Sequence, residues 1–360
     1  MYQKELLALK KSHRYRKREI FHNLKDLASN DYLGLAYKKK QLKKACKNLA
    51  KEEYFTPKAS MLVNGYHPIH QKFETFLAKI NGFEAGLVVG SGFLANIALI
   101  EALVRKNDIL FIDSEFHASG NLAAKLVNNV TIFEHNNVKE LEYLLQESKA
   151  KRKIIAIEGV YSMSGDLAKK EIFDLARKYE AILIVDEAHS SGTIGKNLLG
   201  IFDYYHLKIE PNFIKMGTLG KAYGSYGAYI LSSSIIREFL INRAKPIIYS
   251  TAPSLFDIEL AYLNAKYILN HKKKLQKKVN KLKKVVLETL GFLPESLIVP
   301  IEIGNNKKVL AIQKALLKKG YLVGAIREPT VKRAIVRVIL RKSIKPKELK
   351  FVLEFIKNYD

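Results

Sequence analysis

A chain of 360 residues with 48% apolar residues can bury a large core, and it suits one large α/β subunit or two to three small domains. Its net charge of +26 is spread over the whole length without a basic tail, which favours a solvated, lysine-rich surface over nucleic-acid binding. The single cysteine, Cys46, excludes an intrachain disulfide and favours a reducing compartment. Because the start lacks the apolar core of a signal peptide and the apolar segment 85–100 is shorter than a bilayer span of about 20 residues, we expect a cytoplasmic protein without a membrane partner.

Residues 1–40 predict an amphipathic helix followed by an extended arm. The arm ends in the sequence ASNDYLGL, residues 28–35. Asn30 in this sequence has an ordinary interpretation, an Asx turn that leads the arm into the body of the protein. A contribution of Asn30 to a binding site is the alternative.

A glycine-rich turn precedes a predicted helix near residue 92. The sequence GLVVGSGFLANIALIEALV (86–104) predicts a short strand, a Gly-Ser-Gly turn and a helix that begins near Gly92 and Phe93. The N–H groups at a helix N-terminus bind anions, so this turn is a candidate phosphate site. The glycines alone are weak evidence for such a site.

The sequences ILFIDSEFHASG (109–120) and KIIAIEGVYSMSGDLA (153–168) each predict a strand with polar residues at its end. His117 follows the first strand, and Glu158 and Ser162 follow the second. An isolated histidine after a strand is more often a loop or core residue than a catalytic one, so His117 needs support from other motifs.

The sequence AILIVDEAHSSGTIG (181–195) begins with five apolar residues, a run typical of a central parallel strand. Asp186, Glu187 and His189 follow where the strand should end, and ligands of open α/β sheets bind beyond the carboxyl ends of the strands. Residues 186–189 also spell the D-E-A-H box of nucleic-acid helicases. Such an ATPase needs a phosphate loop of the form G-x-x-x-x-G-K-[ST], and the sequence contains none.

One lysine lies among glycines between two predicted strands. The sequence FIKMGTLGKAYGSYGAYILSS (213–233) predicts two short buried strands joined by a loop that contains Lys221. A solvated loop lysine is the ordinary alternative. A lysine enclosed by small residues, however, has a lowered pKa and can form a Schiff base. With Asp186 and His189, Lys221 matches the requirements of pyridoxal 5'-phosphate (PLP): a lysine for its aldehyde and an aspartate for its pyridinium nitrogen.

Alternating strands and helices over residues 86–233 predict an α/β fold with a mostly parallel sheet covered by helices. After this region we predict a long helix at 271–290 with solvated lysines, and strands near 297–303 and 334–340. These elements predict a smaller α+β C-terminal domain. The predicted division is an N-terminal helix and arm (1–40), a large PLP-binding α/β domain (41–245) and a C-terminal α+β domain (246–360).

The motifs together resemble those of the α-oxoamine synthases, a family of fold-type I PLP enzymes, and the resemblance extends over residues 29–340. It rests on S-N-D-Y-L-G at 29–34, D-x-x-x-H-A-S at 113–119, E-G-V-x-S-M-x-G-D at 158–166 and the Lys221 loop. Residues 53–75 resemble the glycine-rich segment ahead of the family's H-Q-x-L-E helix, but with Thr-Pro-Lys in place of the usual Gly-Ser-Gly.

The resemblance implies a role for the polar residues at the strand ends. Lys221 would carry PLP and move the Cα proton of the substrate, Asp186 would pair with the pyridinium nitrogen, and His117 would stack on the ring and assist decarboxylation. No metal is implied. The implied cofactor-binding set is Gly92, Phe93, His117, Glu158, Ser162, Asp186, His189, Thr218, Lys221, Ser250 and Thr251.

A homodimer with shared active sites is also implied. The sequence RAKPIIYSTAP (243–253) resembles the family's I-Y-S-T segment, whose Ser250 and Thr251 would reach a phosphate across the dimer interface. A polar turn is the ordinary alternative for this segment. The divergent residues 56–65 leave open how this loop contributes to the neighbouring subunit.

The implied reaction is a decarboxylative condensation of an amino acid with an acyl thioester. The sequence AIREPTV (325–331) is similar to that of the branch that uses L-alanine and a pimeloyl thioester in biotin biosynthesis, with Arg327 at the distal carboxylate of the acyl chain. Another branch, such as glycine C-acetyltransferase, is the alternative, and either CoA or a carrier protein would present the acyl chain. The implied substrate-binding residues are Arg16, Asn30, His117, Arg327, Thr330 and Arg337.

Overall fold

Eleven strands form two sheets in the computed structural model, which describes residues 1–359. The larger unit consists of Leu33–Ser162 and Asp166–Lys272, and the smaller unit of Met1–Tyr32, Met163–Gly165 and the residues from Lys273 onward. The strands are β1 (Lys25–Leu27), β2 (Ala85–Val89), β3 (Ile109–Asp113), β4 (Val130–Phe133), β5 (Lys153–Glu158), β6 (Ile182–Asp186), β7 (Phe213–Thr218), β8 (Ala228–Ser232), β9 (Ile298–Glu302), β10 (Tyr321–Ile326) and β11 (Ile335–Ile339).

The helix predicted at 271–290 is the second half of a helix of 36 residues. In residues 1–359, none of the helices is both long enough and apolar enough to span a bilayer. A 3-10 turn at Leu35–Tyr37 and a π-helical turn at Met61–Gly65 accompany the α-helices. The α-helices are α1 (Gln3–Lys11), α2 (Lys39–Leu49), α3 (Pro68–Asn81), α4 (Gly92–Leu103), α5 (Ala118–Ala124), α6 (Val138–Glu147), α7 (Lys170–Lys178), α8 (Ile201–Tyr204), α9 (Ser234–Arg243), α10 (Lys245–Ile248), α11 (Leu255–Leu290), α12 (Asn306–Lys318) and α13 (Pro346–Lys357).

The two units differ in their boundaries from the domains predicted from the sequence. Residues 33–40 and 246–272 belong to the larger unit, and residues 1–32 belong to the same unit as the C-terminal residues. The difference arises because the N-terminal arm contributes β1 to a sheet whose other strands lie after residue 297.

The larger unit contains a seven-stranded sheet in the order β2-β8-β7-β6-β5-β3-β4. The neighbouring strands from β7 to β4 run parallel, whereas β8 is antiparallel to both β7 and β2. The predicted α/β class with a mostly parallel sheet is therefore confirmed. The five parallel strands end at one edge of the sheet, as parallel strands must.

Helices cover both faces of this sheet, since the central strands are apolar on both sides. Alternate side chains of the strands, among them Ile154, Ile184 and Ile214, share one buried cluster with α4. On the opposite face, Phe173 of α7 packs edge-on against Phe213, with ring centroids 6.1 Å apart. Packing on both faces fixes the positions of the strand ends, which carry the polar residues of the predicted site.

The smaller unit contains a four-stranded sheet in the order β1-β10-β11-β9. The strands β9 and β11 lie where strands were predicted, near 297–303 and 334–340. Strand β1 pairs in parallel with β10, which the sequence did not predict. The buried Arg341 side chain holds this arm in place, since it donates hydrogen bonds to Asp26 Oδ2 at 2.6 Å and to Asp31 Oδ2 at 2.9 Å.

Candidate active site

The carboxyl ends of β5, β6 and β7 bring two carboxylates and a hydroxyl to one edge of the larger sheet. Glu158 at the end of β5 pairs in register with Asp186 at the end of β6, and Asp186 pairs with Met216 of β7. Thr218 ends β7 two residues further on. Side chains from three strands therefore converge because the strands end in register.

These strand ends form one wall of a cavity of about 170 Å³. Eight of the eleven predicted cofactor residues line it, together with four residues that were not predicted to bind the cofactor: Asn96, Ser119, Ala188 and Met216. The eight predicted residues in the lining are Gly92, Phe93, His117, Glu158, Asp186, His189, Thr218 and Lys221.

Lys221 reaches the cavity from the loop between β7 and β8. Its Nζ lies 2.7 Å from His189 Nε2. Two glycines of this loop are required by close packing: a Cβ atom at Gly217 would lie 2.4 Å from the Tyr229 ring, and Gly224 adopts a φ of +57° against Leu35. The loop therefore holds the lysine amine at a fixed place beside an imidazole.

Asp186 is almost fully buried and both of its carboxylate oxygens accept hydrogen bonds. Asn96 Nδ2 donates to Oδ2 at 2.8 Å, and the Ala188 backbone N–H donates to Oδ1 at 2.9 Å. These two bonds fix the plane of the carboxylate. A fixed buried carboxylate is suited to pair with a cationic group such as a protonated pyridine nitrogen.

Glu158 provides a second carboxyl group in the cavity, and its pKa is shifted from its usual value. The Ser162 backbone N–H donates to its Oε2 at 3.1 Å, while within residues 1–359 no group bonds to its buried Oε1. Burial raises the pKa of Glu158 well above its usual range, and the nearby Asp186 carboxylate raises it further. This shift favours the protonated, neutral form of Glu158, which can donate a hydrogen bond to a polar group in the cavity.

The N-terminus of α4 forms the other wall of the cavity. Ser91 caps this helix of 12 residues by accepting from the Leu94 N–H at 3.3 Å, which leaves Gly92 and Phe93 in the first turn. Backbone N–H groups in a first turn have no partners within the helix. They fit a phosphate group, as the sequence predicted for this turn.

The residues present fit PLP. They supply a lysine amine, a buried carboxylate for the pyridine nitrogen, a helix N-terminus for the phosphate and, in Glu158 Oε1, a buried polar atom whose partner a bound group would provide. The Thr218 hydroxyl donates to Gly227 O at 3.1 Å and accepts from the Gly220 N–H at 3.3 Å, so it also braces the Lys221 loop.

Three predicted cofactor residues do not line the cavity. Ser162 is buried, and its contact with Glu158 is through its backbone. Ser250 and Thr251 lie beside the divergent segment instead, where Thr251 forms a β-bridge with Ser60 and the Ala252 N–H donates to Ala59 O at 3.0 Å.

The predicted substrate residues outside the cavity form two groups in the smaller unit. In the first, Arg337 is buried on β11 and its Nη2 donates to Asn30 Oδ1 at 3.3 Å. In the second, Arg16 Nη2 donates to Thr330 Oγ1 at 3.3 Å, and Arg327 Nη1 donates to Tyr15 O at 3.3 Å. Burial, and to a lesser extent the neighbouring Arg16 cation, lower the pKa of Arg327. The two guanidinium groups of the second group are therefore close enough to repel one another, and an anion between them would relieve this repulsion.

Sequence reasoning also missed a buried ion pair behind the cavity wall. Lys215 Nζ lies 3.6 Å from Glu187 Oε1, and both side chains are fully buried. Lys215 also donates to Asn81 Oδ1 at 2.9 Å, and Glu187 accepts from the Ile201 N–H at 2.8 Å. This pair fixes the start of the loop that follows β6 and carries His189. In the sequence, this ion pair was indicated by the charged Lys215 inside an apolar strand and by Glu187, a second acid directly after Asp186.

The topology of the larger sheet, with the lysine loop after β7 and the aspartate at the end of β6, defines a PLP-dependent transferase of fold type I. A family model described as aminotransferase class I and II matches residues 23–356, and the chain belongs to this family.

Three individual proteins show which members of this class the chain is similar to. The 8-amino-7-oxononanoate synthase of Helicobacter pylori strain J99 is 47% identical over 344 residues, which cover 94% of this chain and 92% of that protein. A solved structure of 8-amino-7-oxononanoate synthase from Francisella tularensis has a TM-score of 0.75 at 26% identity and covers 92% of this chain and 96% of that chain. A structure of SPT with PLP as the internal aldimine has a TM-score of 0.84 at 25% identity and covers 93% of this chain and 86% of that chain.

Proposed function

We propose that this protein condenses L-alanine with a pimeloyl thioester to form 8-amino-7-oxononanoate, releasing the free thiol and CO2, as a step of biotin biosynthesis. The observation that carries the proposal is the 47% identity with the Helicobacter pylori enzyme of that name over almost the whole chain. The cavity that contains Lys221 and Asp186 supports it independently. Glycine C-acetyltransferase, the alternative within the family, is not favoured by these similarities.

PLP is the cofactor, and when bound it supplies an electron-withdrawing ring that stabilises negative charge on the substrate Cα. In this proposal, Asp186 would keep a proton on the pyridine nitrogen, and the first turn of α4 would bind the phosphate through Gly92 and Phe93. In its protonated form, the carboxyl of Glu158 would donate a hydrogen bond to a polar group within the cavity. These residues would orient the ring.

Lys221 has two tasks in the proposed reaction. Its amine would hold the cofactor covalently, and its Nζ, when free, would take up the Cα proton of alanine. His189 lies 2.7 Å from Nζ and holds the amine in position between these tasks. His117 faces the same cavity and assists the loss of CO2 by holding the substrate carboxyl and carbonyl oxygens.

Two arginine groups recognise the two ends of the substrates in this proposal. Arg337, braced by Asn30, binds the carboxylate of alanine. Arg327 and Arg16, with the Thr330 hydroxyl between them, bind the distal carboxylate of the pimeloyl chain. The proximity of two guanidinium groups supports an anionic ligand at this second group.

The activity is tested by following thiol release from a panel of acyl thioesters with alanine, glycine or serine. We expect release only when alanine is combined with a pimeloyl thioester, whether CoA or a carrier protein presents the chain. A preference for acetyl thioester with glycine would overturn the proposed reaction and favour the acetyltransferase branch.

Replacing Arg327 with alanine should lower kcat/KM for the pimeloyl thioester by roughly tenfold to a hundredfold. A guanidinium–carboxylate contact in a partly dry pocket contributes about 1.5 to 3 kcal/mol, and about 1.4 kcal/mol corresponds to a factor of ten. The loss should be much smaller for the thioester of monomethyl pimelate, because that chain has no charge to leave unpaired. Steady-state kinetics with both thioesters measures the difference.

The matched control for Arg327 is Arg333→Ala. Arg333 lies in the same unit but is exposed and pairs with Glu302 at 2.8 Å, so its loss should change neither kinetic constant. Arg327 also donates to backbone carbonyls of residues 13 and 15, so a purely structural role predicts equal losses for the charged and the methylated substrate. Equal losses would therefore remove Arg327 from carboxylate recognition.

We further propose a homodimer in which each active site uses residues of both subunits. Ser250 and Thr251 lie beside the divergent segment 56–65, and the neighbouring Val63 and Tyr249 side chains are 76% and 79% exposed. Exposed apolar side chains next to a predicted interface segment are typical of a surface that a second subunit covers. The phosphate would then be bound by α4 of one subunit and by Ser250 and Thr251 of the other.

Mixing two inactive variants should restore activity if the sites are shared. One variant is Lys221→Ala and the other is the double variant Ser250→Ala, Thr251→Ala. After random subunit exchange, half of the dimers are mixed and each has one intact site, so about one quarter of the wild-type activity should return. Mixtures that show only the sum of the separate activities, or a fully active monomer in sedimentation, would contradict a shared site.

The D-E-A-H sequence does not add a nucleic-acid partner to the proposal. Asp186 and His189 line the cavity, and their roles there account for the motif. We place the enzyme in the cytoplasm, where Cys46, which forms no disulfide, remains reduced.

A further inference from the structure

Two residues to which the sequence analysis assigned no role connect the Asp186 carboxylate to the His117 ring. Asn96 lies on α4 and Ser119 in the first turn of α5, and their side chains are 1% and 0% exposed. Asn96 Nδ2 donates one hydrogen bond to Asp186 Oδ2 and another to Ser119 Oγ, each at 2.8 Å. Ser119 Oγ lies 2.7 Å from His117 Nδ1. A continuous chain of hydrogen bonds therefore runs from the carboxylate to the imidazole.

The direction of each bond follows from the donors available. The Asp186 carboxylate only accepts, so the group of Asn96 that faces it must be the NH2 rather than the oxygen. The same NH2 also faces Ser119 Oγ, which therefore accepts this bond with a lone pair. The single hydroxyl proton of Ser119 is then available for the next acceptor, His117 Nδ1. The orientation of the Asn96 amide thus fixes the direction of the bonds to Asp186 and Ser119, whereas the direction of the Ser119–His117 bond is decided by the other contact of Nδ1.

A backbone N–H group determines which ring nitrogen of His117 carries the proton. The Ser119 backbone N–H donates to His117 Nδ1 at 3.2 Å and so caps α5. A nitrogen that accepts from a backbone N–H and from a hydroxyl cannot carry a proton of its own. In the neutral ring, the proton must then reside on Nε2. Burial lowers the pKa of His117, which favours this neutral form.

We propose that Asn96 and Ser119 are positioning residues that orient the Asp186 carboxylate and fix the proton of neutral His117 on Nε2. His117 then presents an N–H donor to the cavity, and it acts by hydrogen bonding rather than as a base. The fixed tautomer follows from the contacts of the protein alone. The consequence for the reaction is that His117 holds an N–H donor toward the substrate oxygens. This consequence rests on the proposed function.

The tautomer is measured in the full-length protein without PLP, by NMR of the ring nitrogens of labelled histidine at a pH where His117 is neutral. The chain has nine histidines, and the His117 signals are assigned by their loss in His117→Gln. We expect an unprotonated Nδ1 and a protonated Nε2. A protonated Nδ1, or rapid exchange between both tautomers, would overturn the proposal. Because this measurement needs neither cofactor nor turnover, its failure is distinct from a failure of the proposed reaction.

The link through Ser119 is tested by a double-variant cycle with Asn96→Asp and Ser119→Ala. In Asn96→Asp the new carboxyl shares a proton with the facing Asp186 carboxylate and still accepts the Ser119 hydroxyl proton, so the hydroxyl turns away from His117 and the Nδ1 signal should shift. In the Ser119→Ala background the same change should leave the Nδ1 signal almost unmoved, because the hydroxyl is already absent. Equal shifts in both backgrounds would show a direct effect of charge and would contradict the link.

The effect on Asp186 is tested by equilibrium dialysis with PLP. Asn96→Ala removes the donor to Asp186 Oδ2, and we expect PLP to bind about tenfold more weakly, as for the loss of one hydrogen bond to a charged group. Asn121→Ala is the matched control: Asn121 lies on α5 but donates to Phe116 O and does not line the cavity, so PLP affinity should be unchanged. Unchanged affinity in Asn96→Ala would show that Asn96 does not position the carboxylate.

Discussion

The Lys221→Ala protein is expected to lose covalent attachment of PLP and to lose turnover by on the order of a thousandfold or more. The loss combines two effects, since the same amine carries the cofactor and moves the Cα proton, and proton transfer by a positioned side chain alone contributes roughly a hundredfold to ten thousandfold. In residues 1–359, Lys221 is the one lysine that lines the cavity. Lys215, the nearest in sequence, is turned away and bonded to Asn81.

The experiment is reduction with borohydride followed by mass spectrometry. The wild type should retain one PLP per chain after denaturation, and Lys221→Ala should retain none. Lys208→Ala is the control, because Lys208 is exposed in the same unit and should leave both the adduct and the rate unchanged. An adduct retained by Lys221→Ala would mean that another amine carries the cofactor.

Much of the fold follows directly from the sequence. Uninterrupted apolar runs at residues 109–112, 154–157 and 181–185 predicted strands, because such runs are typical of strands that are covered on both faces. The polar residues that follow these runs then had to lie at one edge of the sheet. The residues around Lys221 were also identified correctly as two strands and a connecting loop.

The antiparallel direction of β8 was not predicted, although its signal was present. Only residues 219–227 separate β7 from β8, and a parallel neighbour needs a crossover of a dozen residues or more. Strand β1 carried no usable signal, since it has three residues, two of them charged. Its place in the sheet depends on contacts with β10, almost three hundred residues later in the chain.

Hydrogen-bond partners across the cavity could not be predicted for a similar reason. Asn96 and Asp186 are 90 residues apart, and their contact depends on how α4 packs against the end of β6. A single asparagine among the apolar residues 93–100 of α4 was the available hint, because a buried amide requires partners. The contacts that bring Arg16 to Thr330 likewise join distant segments, 314 residues apart.

The Asp186→Asn protein is expected to bind PLP but to turn over on the order of a hundredfold more slowly or worse. A neutral amide cannot hold a proton on the pyridine nitrogen, so the ring withdraws electrons less effectively from the substrate Cα. A loss of a few kcal/mol at the transition state gives this factor, at about 1.4 kcal/mol per factor of ten. The measurements are kcat with alanine and pimeloyl thioester, and PLP binding by equilibrium dialysis.

The hydrogen bonds at position 186 add to this loss of kcat. An amide at position 186 has only one acceptor oxygen, while Asn96 Nδ2 and the Ala188 N–H both donate to the carboxylate. One of these donors must then face the new NH2 group, so the side chain loses its fixed plane as well as its charge.

The Asp108→Asn protein is a control that separates a loss of stability from a loss of catalysis. Asp108 is equally buried and pairs with Arg152 at 2.8 Å, but it precedes β3 and lies outside the cavity lining. That variant should lower the melting temperature and leave kcat intact, whereas a near-normal kcat in Asp186→Asn would show that Asp186 is not the partner of the pyridine nitrogen.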